Sequence, residues 1–117
     1  NQEEEKEIPF IELLANADLS KGKKVFGKCK ACHKLGDGEN GTGPHLYNII
    51  DREMAVISDF KYSSSFKALN GNWTYDELNQ FLTKPSNYVK GTAMNFAGLG
   101  KISDRANLIA YLEDSTK

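Results

Sequence analysis

Residues 26–45 read FGKCKACHKLGDGENGTGPH and hold both cysteines and both histidines of the chain. Cys29, Cys32 and His33 stand at i, i+3 and i+4, so on a helix all three project from one face. Two thiols and an imidazole so arranged offer four chemistries: a structural disulfide, a zinc site, a thioredoxin-like redox pair, or covalent attachment of a haem. A disulfide across two intervening residues closes a tiny loop and stabilises little. A thioredoxin-like pair needs a βαβ setting that the chain lacks. Zinc could draw on Cys29, Cys32, His33 and His45, but ligation by the adjacent Cys32 and His33 would be strained. Haem suits the pattern best: two vinyl groups take the thiols, the iron takes the imidazole, and C-x-x-C-H is the attachment signature of c-type haem.

The motif supplies one axial nitrogen and leaves the opposite position open to His45, Met54, Met94 or, at the outside, a lysine. Methionine is ordinarily a core filler, and a histidine beside Pro44 is ordinarily a loop residue. Met94, however, lies in KGTAMNFAG between Gly91 and Gly98, where neither helical nor strand periodicity runs. A flexible apolar side chain isolated in such a loop suits a ligand swung across a cofactor, and Met94 is the residue favoured.

The elements that must position these groups are short helices. Residues 1–7 are too polar to pack, and residues 8–16 read as a short helix with Pro9 at its first position, or as an apolar strap. Asp18 caps a helix running towards His33, and residues 36–45, with four glycines and Pro44, are a loop. Residues 63–71 form a short helix stopped by Gly71. Thr74 and Glu77 make a capping box for a helix ended by Pro85, a further turn spans 86–90, and Ser103 caps a last helix striped by Leu108, Tyr111 and Leu112. No segment alternates with period two, so the fold class is all-α. The stretch from His33 to about Ser63 lacks clear secondary structure, and loops that long are uncommon in compact domains. A large apolar cofactor would hold them.

With 117 residues the chain suits one domain, and 39% apolar with 26% charged residues is ordinary for a globular one. No apolar run reaches the ~18 residues of a membrane span. The chain opens on Asn1 rather than methionine, which points to a form trimmed from something longer. Its net charge of −1 conceals an asymmetry: residues 1–12 carry five acids against Lys6, whereas the remainder holds 14 basic and 11 acidic side chains. An acidic leader, residues 1–17, therefore precedes a mildly basic domain, residues 18–117. With no basic stripe or matching motif, nucleic-acid binding is not expected.

From Asp18 to Thr116 the chain resembles the class I cytochromes c of mitochondria and related bacteria. The stretches that carry the resemblance are KGKKVFGKCKACH, GTGPHL, the region of Tyr62 and Trp73, FLTKPSNYVKGTAMNFAGL and DRANLIAYL. The leader, IPFIELLANADLSKG, looks closest to respiratory cytochromes c of bacteria that carry a membrane anchor. The resemblance implies short helices and long loops wrapped around one haem c, with the first and last helices crossing at Gly22, Phe26, Leu108 and Tyr111. It implies thioethers from Cys29 and Cys32, iron ligation by His33 and Met94, and a Pro44 carbonyl accepting the His33 N–H beside Gly43. It implies further that Arg52, Tyr62 and Trp73 hold the propionates, that Thr92 flanks the methionine loop, and that Phe96 covers the haem edge. Phe81 stands where many relatives have a tyrosine, and Phe66 replaces a commonly polar residue, so the methionine side should be drier. Ser86, Asn87 and Ala93 occupy positions that are often lysine, which predicts a delayed alkaline ligand switch with Lys90 as the nearest substitute.

Histidine with methionine leaves the iron no vacant position, so the resemblance implies a one-electron carrier and not an enzyme. The implied partners are a cytochrome bc complex as donor and a haem–copper cytochrome c oxidase as acceptor. The carrier would be a monomer on the periplasmic side of a bacterial inner membrane, meeting the membrane only through a tether. A flexible 17-residue leader would span roughly 20–25 Å. A freely soluble shuttle is the alternative within the same class, and a haem sensor with a labile axial ligand is the alternative outside it. Lys28, Lys30, Lys34, Lys84, Lys90 and Lys101 are expected around the docking face.

Overall fold

The structure is a computed structural model. It describes residues 9–30, 33–41, 43–57, 60, 62, 64–89 and 96–116. Cys32, Lys90, Thr92 and Met94 lie outside the described residues. Among the described residues six helices follow in order: α1 (Phe10–Ala15), α2 (Leu19–Phe26), α3 (Ser64–Lys67), α4 (Tyr75–Thr83), α5 (Pro85–Tyr88) and α6 (Ile102–Thr116). Among the described residues the only extended pairing is an isolated bridge between Glu53 and Asn72.

The body is built on the crossing of α2 and α6. Asp18 caps α2, its carboxylate accepting the backbone N–H of Lys21 at 3.1 Å. Gly22 and Phe26, one turn apart, are the buried face of α2. A Cβ on Gly22 would stand 2.1 Å from the Asn107 carbonyl oxygen, so only glycine lets the two backbones approach this closely. Phe26 packs on Tyr111 with ring centroids 5.8 Å apart. From α6, Leu108, Ile109 and Leu112 are almost wholly buried, the i, i+1, i+4 pattern of a helix facing a core.

α4 closes the other side. Thr74 Oγ1 accepts the N–H of Glu77 at 3.1 Å, as its sequence signature predicts. Leu78, Phe81 and Leu82 are its buried stripe. The helix ends where Lys84, pushed out of the α region by the proline that follows, turns extended. Leu99 then returns against it, donating its N–H to the Leu82 carbonyl at 2.7 Å. Gly98 makes that approach with φ +108, and a Cβ there would stand 2.3 Å from the Thr83 carbonyl.

Several boundaries differ from those read in the sequence: α3 ends at Lys67 and not at Gly71, and α5 begins at Pro85. α2 stops at Phe26 and does not run to His33, because from Gly27 onward the chain tightens into i→i−3 bonds, Gly27 to Lys24 and Lys28 to Val25. An i→i−4 bond from the His33 N–H to the Cys29 carbonyl at 2.9 Å keeps these two residues one helical turn apart. α6 begins before Ser103, since the Lys101 carbonyl already accepts the N–H groups of Asp104 and Arg105. Pro9 sits at the cap of α1 and not at its first helical position.

α1 lies against α6, with Phe10 and Leu14 packed on the main core. The structure thus combines the two readings of residues 8–16: a short helix, Phe10–Ala15, that also lies on the domain. The reach of a freely flexible 17-residue chain does not apply to these residues. The long connection after His33 is secured by backbone bonds to distant segments. Leu46 N–H reaches the Lys34 carbonyl, Asn48 N–H that of Thr116, Asp51 N–H that of Trp73, and Trp73 N–H that of Arg52, each at 2.8 Å. Asn48 and Asp51 take positive φ in this segment, which their short polar side chains tolerate.

Candidate haem site

The site assembles where the Gly-rich loop folds back on the end of the α2 turn. His33 Nδ1 lies 2.8 Å from the carbonyl oxygen of Pro44. A carbonyl can only accept, so Nδ1 carries the hydrogen and donates it, leaving Nε2 with a bare lone pair. That is the tautomer a metal requires, with ring orientation fixed from behind. Gly43 makes room for the ring: a Cβ there would stand 2.3 Å from His33 Cε1. Burial pushes the His33 pKa below its usual value. The Pro44 bond works in the opposite direction and the nearby Arg52 charge adds to the lowering, so the imidazole is held neutral.

Arg52 is placed by the strand-like exchange with Trp73 and bridges the next segment of the loop. Its Nη1 donates to the carbonyls of His45 at 2.8 Å and Tyr47 at 3.2 Å. Its Nε is buried without a partner among the described residues, and burial lowers its pKa. A guanidinium with one donor pointing into the protein and unpaired is poised for an anionic group. Tyr62 is 8% exposed, its hydroxyl accepting the Ile57 N–H at 3.2 Å. Trp73 is 4% exposed and meets Phe81 edge-on at 5.1 Å. Phe66 links the group, stacked on Tyr62 at 5.5 Å and edge-on to Phe81 at 6.1 Å. Phe81 also meets Tyr88 edge-on at 5.7 Å. Phe96 is half-buried and packs on the same core.

Thus the structure brings together Cys29, His33, Gly43 and Pro44 on one side, and Arg52, Tyr62, Trp73 and Phe81 around the aromatic core. Met54 is 6% exposed within the core cluster, the ordinary packing role its sequence context gave it. Lys28, Lys30, Lys34, Lys84 and Lys101 are all exposed. Sequence reasoning missed the burial of two residues. His45 is 5% exposed, with Nδ1 buried and unpartnered among the described residues and Nε2 3.9 Å from Asp37. Arg105 is 7% exposed and ties Asn79 to the Leu99 carbonyl. No periodicity marks a loop histidine as buried, while Arg105 falls on the inner face of α6, where its charge hid its burial.

The residues fit a haem. A neutral imidazole with its metal-facing nitrogen bare, a glycine cradle beside it, a thiol-bearing residue one turn away and a guanidinium whose buried Nε has no partner among the described residues are what such a group would need from the chain.

The family model for cytochrome c matches residues 19–116. The chain is 46% identical over 107 residues to a cytochrome c homolog of Rickettsia bellii, covering 91% of this chain and 62% of that protein. It is 49% identical over 96 residues to the cytochrome c-type cyt cy of Rhodobacter capsulatus, covering 81% of this chain and 48% of that protein. The chain therefore spans between about half and three fifths of the length of these relatives. Among solved structures, cytochrome cH from Methylobacterium extorquens superposes with a TM-score of 0.78 at 31% identity, covering 84% of this chain and 99% of that one. The chain belongs to the cytochrome c family, all-α in fold and built around a covalently attached haem c with its iron.

Proposed function

We propose that this chain is the haem domain of a one-electron carrier whose iron is held by His33 and Met94 and whose haem is bonded to Cys29 and Cys32. The observation that carries the reading is the 2.8 Å bond from His33 Nδ1–H to Pro44, which leaves Nε2 as a permanent axial donor. When bound, the haem accepts and returns one electron at its iron, and axial histidine with methionine raises the reduction potential. The protein's part is to keep both axial donors in place in the two oxidation states. Gly43, Pro44 and the Cys29 turn fix His33. Leu99 and Arg105 anchor the far end of the segment that contains Met94. Arg52, with Tyr62 and Trp73, would hold the propionates, and, as the resemblance implies, Thr92 would serve the methionine loop and Phe96 would cover the haem edge. With His33 and Met94 both serving as ligands, small molecules would be kept from the iron, which would make the domain a carrier and not a catalyst.

The donor in this reading is a quinol-oxidising cytochrome bc complex and the acceptor a haem–copper oxidase, on the periplasmic side of a bacterial inner membrane. Exposed lysines at 28, 30, 34, 84 and 101 give the docking face its attraction for acidic partners. A tether preceding the domain in the full-length protein would supply about millimolar effective concentration without added contacts, which accommodates Ser86, Ala93 and Gly100 standing where the resemblance to soluble shuttles implies lysines. The test is electron transfer from purified bc complex to purified oxidase through the holo-domain across a salt series. Turnover with both complexes and a shallow fall with ionic strength support the reading. Failure with either complex, or a fall as steep as that of lysine-rich soluble shuttles, counts against it.

A further inference from the structure

Three hydrogen bonds meet on the short segment Pro44–His45. The Pro44 carbonyl accepts the His33 Nδ1–H at 2.8 Å. The N–H of the same peptide unit, that of His45, donates to the side-chain oxygen Oδ1 of Asn40 at 3.0 Å. The next carbonyl, that of His45, accepts Arg52 Nη1 at 2.8 Å. Asn40 is half-buried and His45 buried, so water competes weakly for these groups.

A peptide unit is a conjugated system in which N–H and C=O share electron density. An acceptor on its N–H shifts density onto its carbonyl oxygen and strengthens the bond that oxygen accepts. A stronger acceptor behind Nδ1–H makes the imidazole the better donor at Nε2. The order Asn40 Oδ1, His45 N–H, Pro44 C=O, His33 Nδ1–H is therefore a polarised chain ending on the imidazole. The hydrogen bonds within the loop backbone, Glu39 N–H to Gly36 and Gly41 N–H to Gly43, do not touch this peptide.

We propose that Asn40 is a positioning residue that sets the donor strength of His33 through the Pro44–His45 peptide. This rests on the reading of His33 as axial ligand. A purely structural Asn40 would only tie down the loop. A tuning Asn40 moves the redox equilibrium in a direction set by the acceptor it presents, because a stronger imidazole donor stabilises the oxidised iron.

The experiment compares holo wild type with Asn40→Ala, Asn40→Ser and Asn40→Asp. It measures the midpoint potential and the His33 Nδ1–H resonance of the reduced protein, the latter in shift and in solvent exchange rate. Asn40→Ala should raise the potential, move the resonance towards a weaker hydrogen bond and speed its exchange. Asn40→Asp should lower the potential and move the resonance the other way, and Asn40→Ser should fall between alanine and wild type. A charge acting only through space would lower the potential in Asn40→Asp while leaving Nδ1–H unmoved, and that result overturns the proposal. So does an Nδ1–H unchanged in both alanine and aspartate variants. Should the alanine variant fail to fold, the aspartate variant decides alone by the direction of its Nδ1–H shift. Histidine ligation is read separately from the ferric electron paramagnetic resonance of wild type. Its absence overturns the axial assignment of His33, whereas its presence with an unmoved Nδ1–H overturns only the role of Asn40.

Discussion

Gly22 of α2 lies so close to Asn107 of α6 that a single added carbon would stand 2.1 Å from the Asn107 carbonyl oxygen and 2.7 Å from Tyr111 Cβ. Helix propensity alone would favour alanine at position 22 by about 0.8–1 kcal/mol. The opposing contact is a backbone oxygen in the middle of a helix, which cannot turn aside, and overpacking of this kind costs about 1–3 kcal/mol. Gly22→Ala should therefore destabilise the domain despite its better propensity. A thermal melt of the holo-protein checks this, with a lowered midpoint expected.

Arg105 holds the returning chain to α4 and α6 through Asn79 Oδ1 and the Leu99 carbonyl, both at 2.6 Å. Removing it leaves a buried carbonyl without a donor, at a cost of about 1–3 kcal/mol. Arg105→Ala should lower the urea midpoint accordingly. Arg105→Lys should recover only part of the loss, since one ammonium cannot present the two separated donors of a guanidinium.

Tyr75 and Tyr88 should ionise late. The Tyr75 hydroxyl donates to Glu113, and chiefly this bond raises its pKa to about 12. Burial first, and then its 2.9 Å bond to Glu77, raises that of Tyr88 to about 12. Folded values above the unfolded one mean that the native state holds protons the unfolded state has lost. The contribution is thus complete below pH 10 and disappears as pH rises towards 12. Phenolate absorbance should show two of the chain's five tyrosines titrating near the top of that range. Tyr75→Phe and Tyr88→Phe should each remove one of the late groups and flatten the alkaline fall in stability.

Much of this was legible because the chemistry is local. C-x-x-C-H needs only five consecutive residues, and the Thr74–Glu77 cap and the Asp18 cap each close within one turn. What escaped depends on residues far apart in the chain. The segment after His33 owes its course to Asn48 meeting Thr116 and Asp51 meeting Trp73, pairings that no local pattern encodes. Ile109 is wholly buried though it adjoins Leu108, because α6 meets α2 and α4 on neighbouring sides. The bond from the His45 N–H to Asn40 looks like any loop asparagine until the Pro44 carbonyl is seen on the far side of the same peptide.

The leader helix α1 should behave as part of the packed body. Phe10 and Leu14 rest on the core, and truncating half-buried apolar side chains costs less than the about 2–5 kcal/mol of fully buried ones. Leu14→Ala should lower stability by about 1 kcal/mol on that scale, and Phe10→Asp by more. Both should speed proteolysis between Pro9 and Asp18, read by mass spectrometry of the fragments.

The central claim is that His33 and Met94 close both faces of the iron. Carbon monoxide binding to the reduced holo-protein at neutral pH tests it most directly, with Met94→Ala as the opened control. The account predicts no carbon monoxide complex in wild type and rapid formation in Met94→Ala. Rapid binding by wild type, or a Met94→Ala variant as unreactive as wild type, would contradict it.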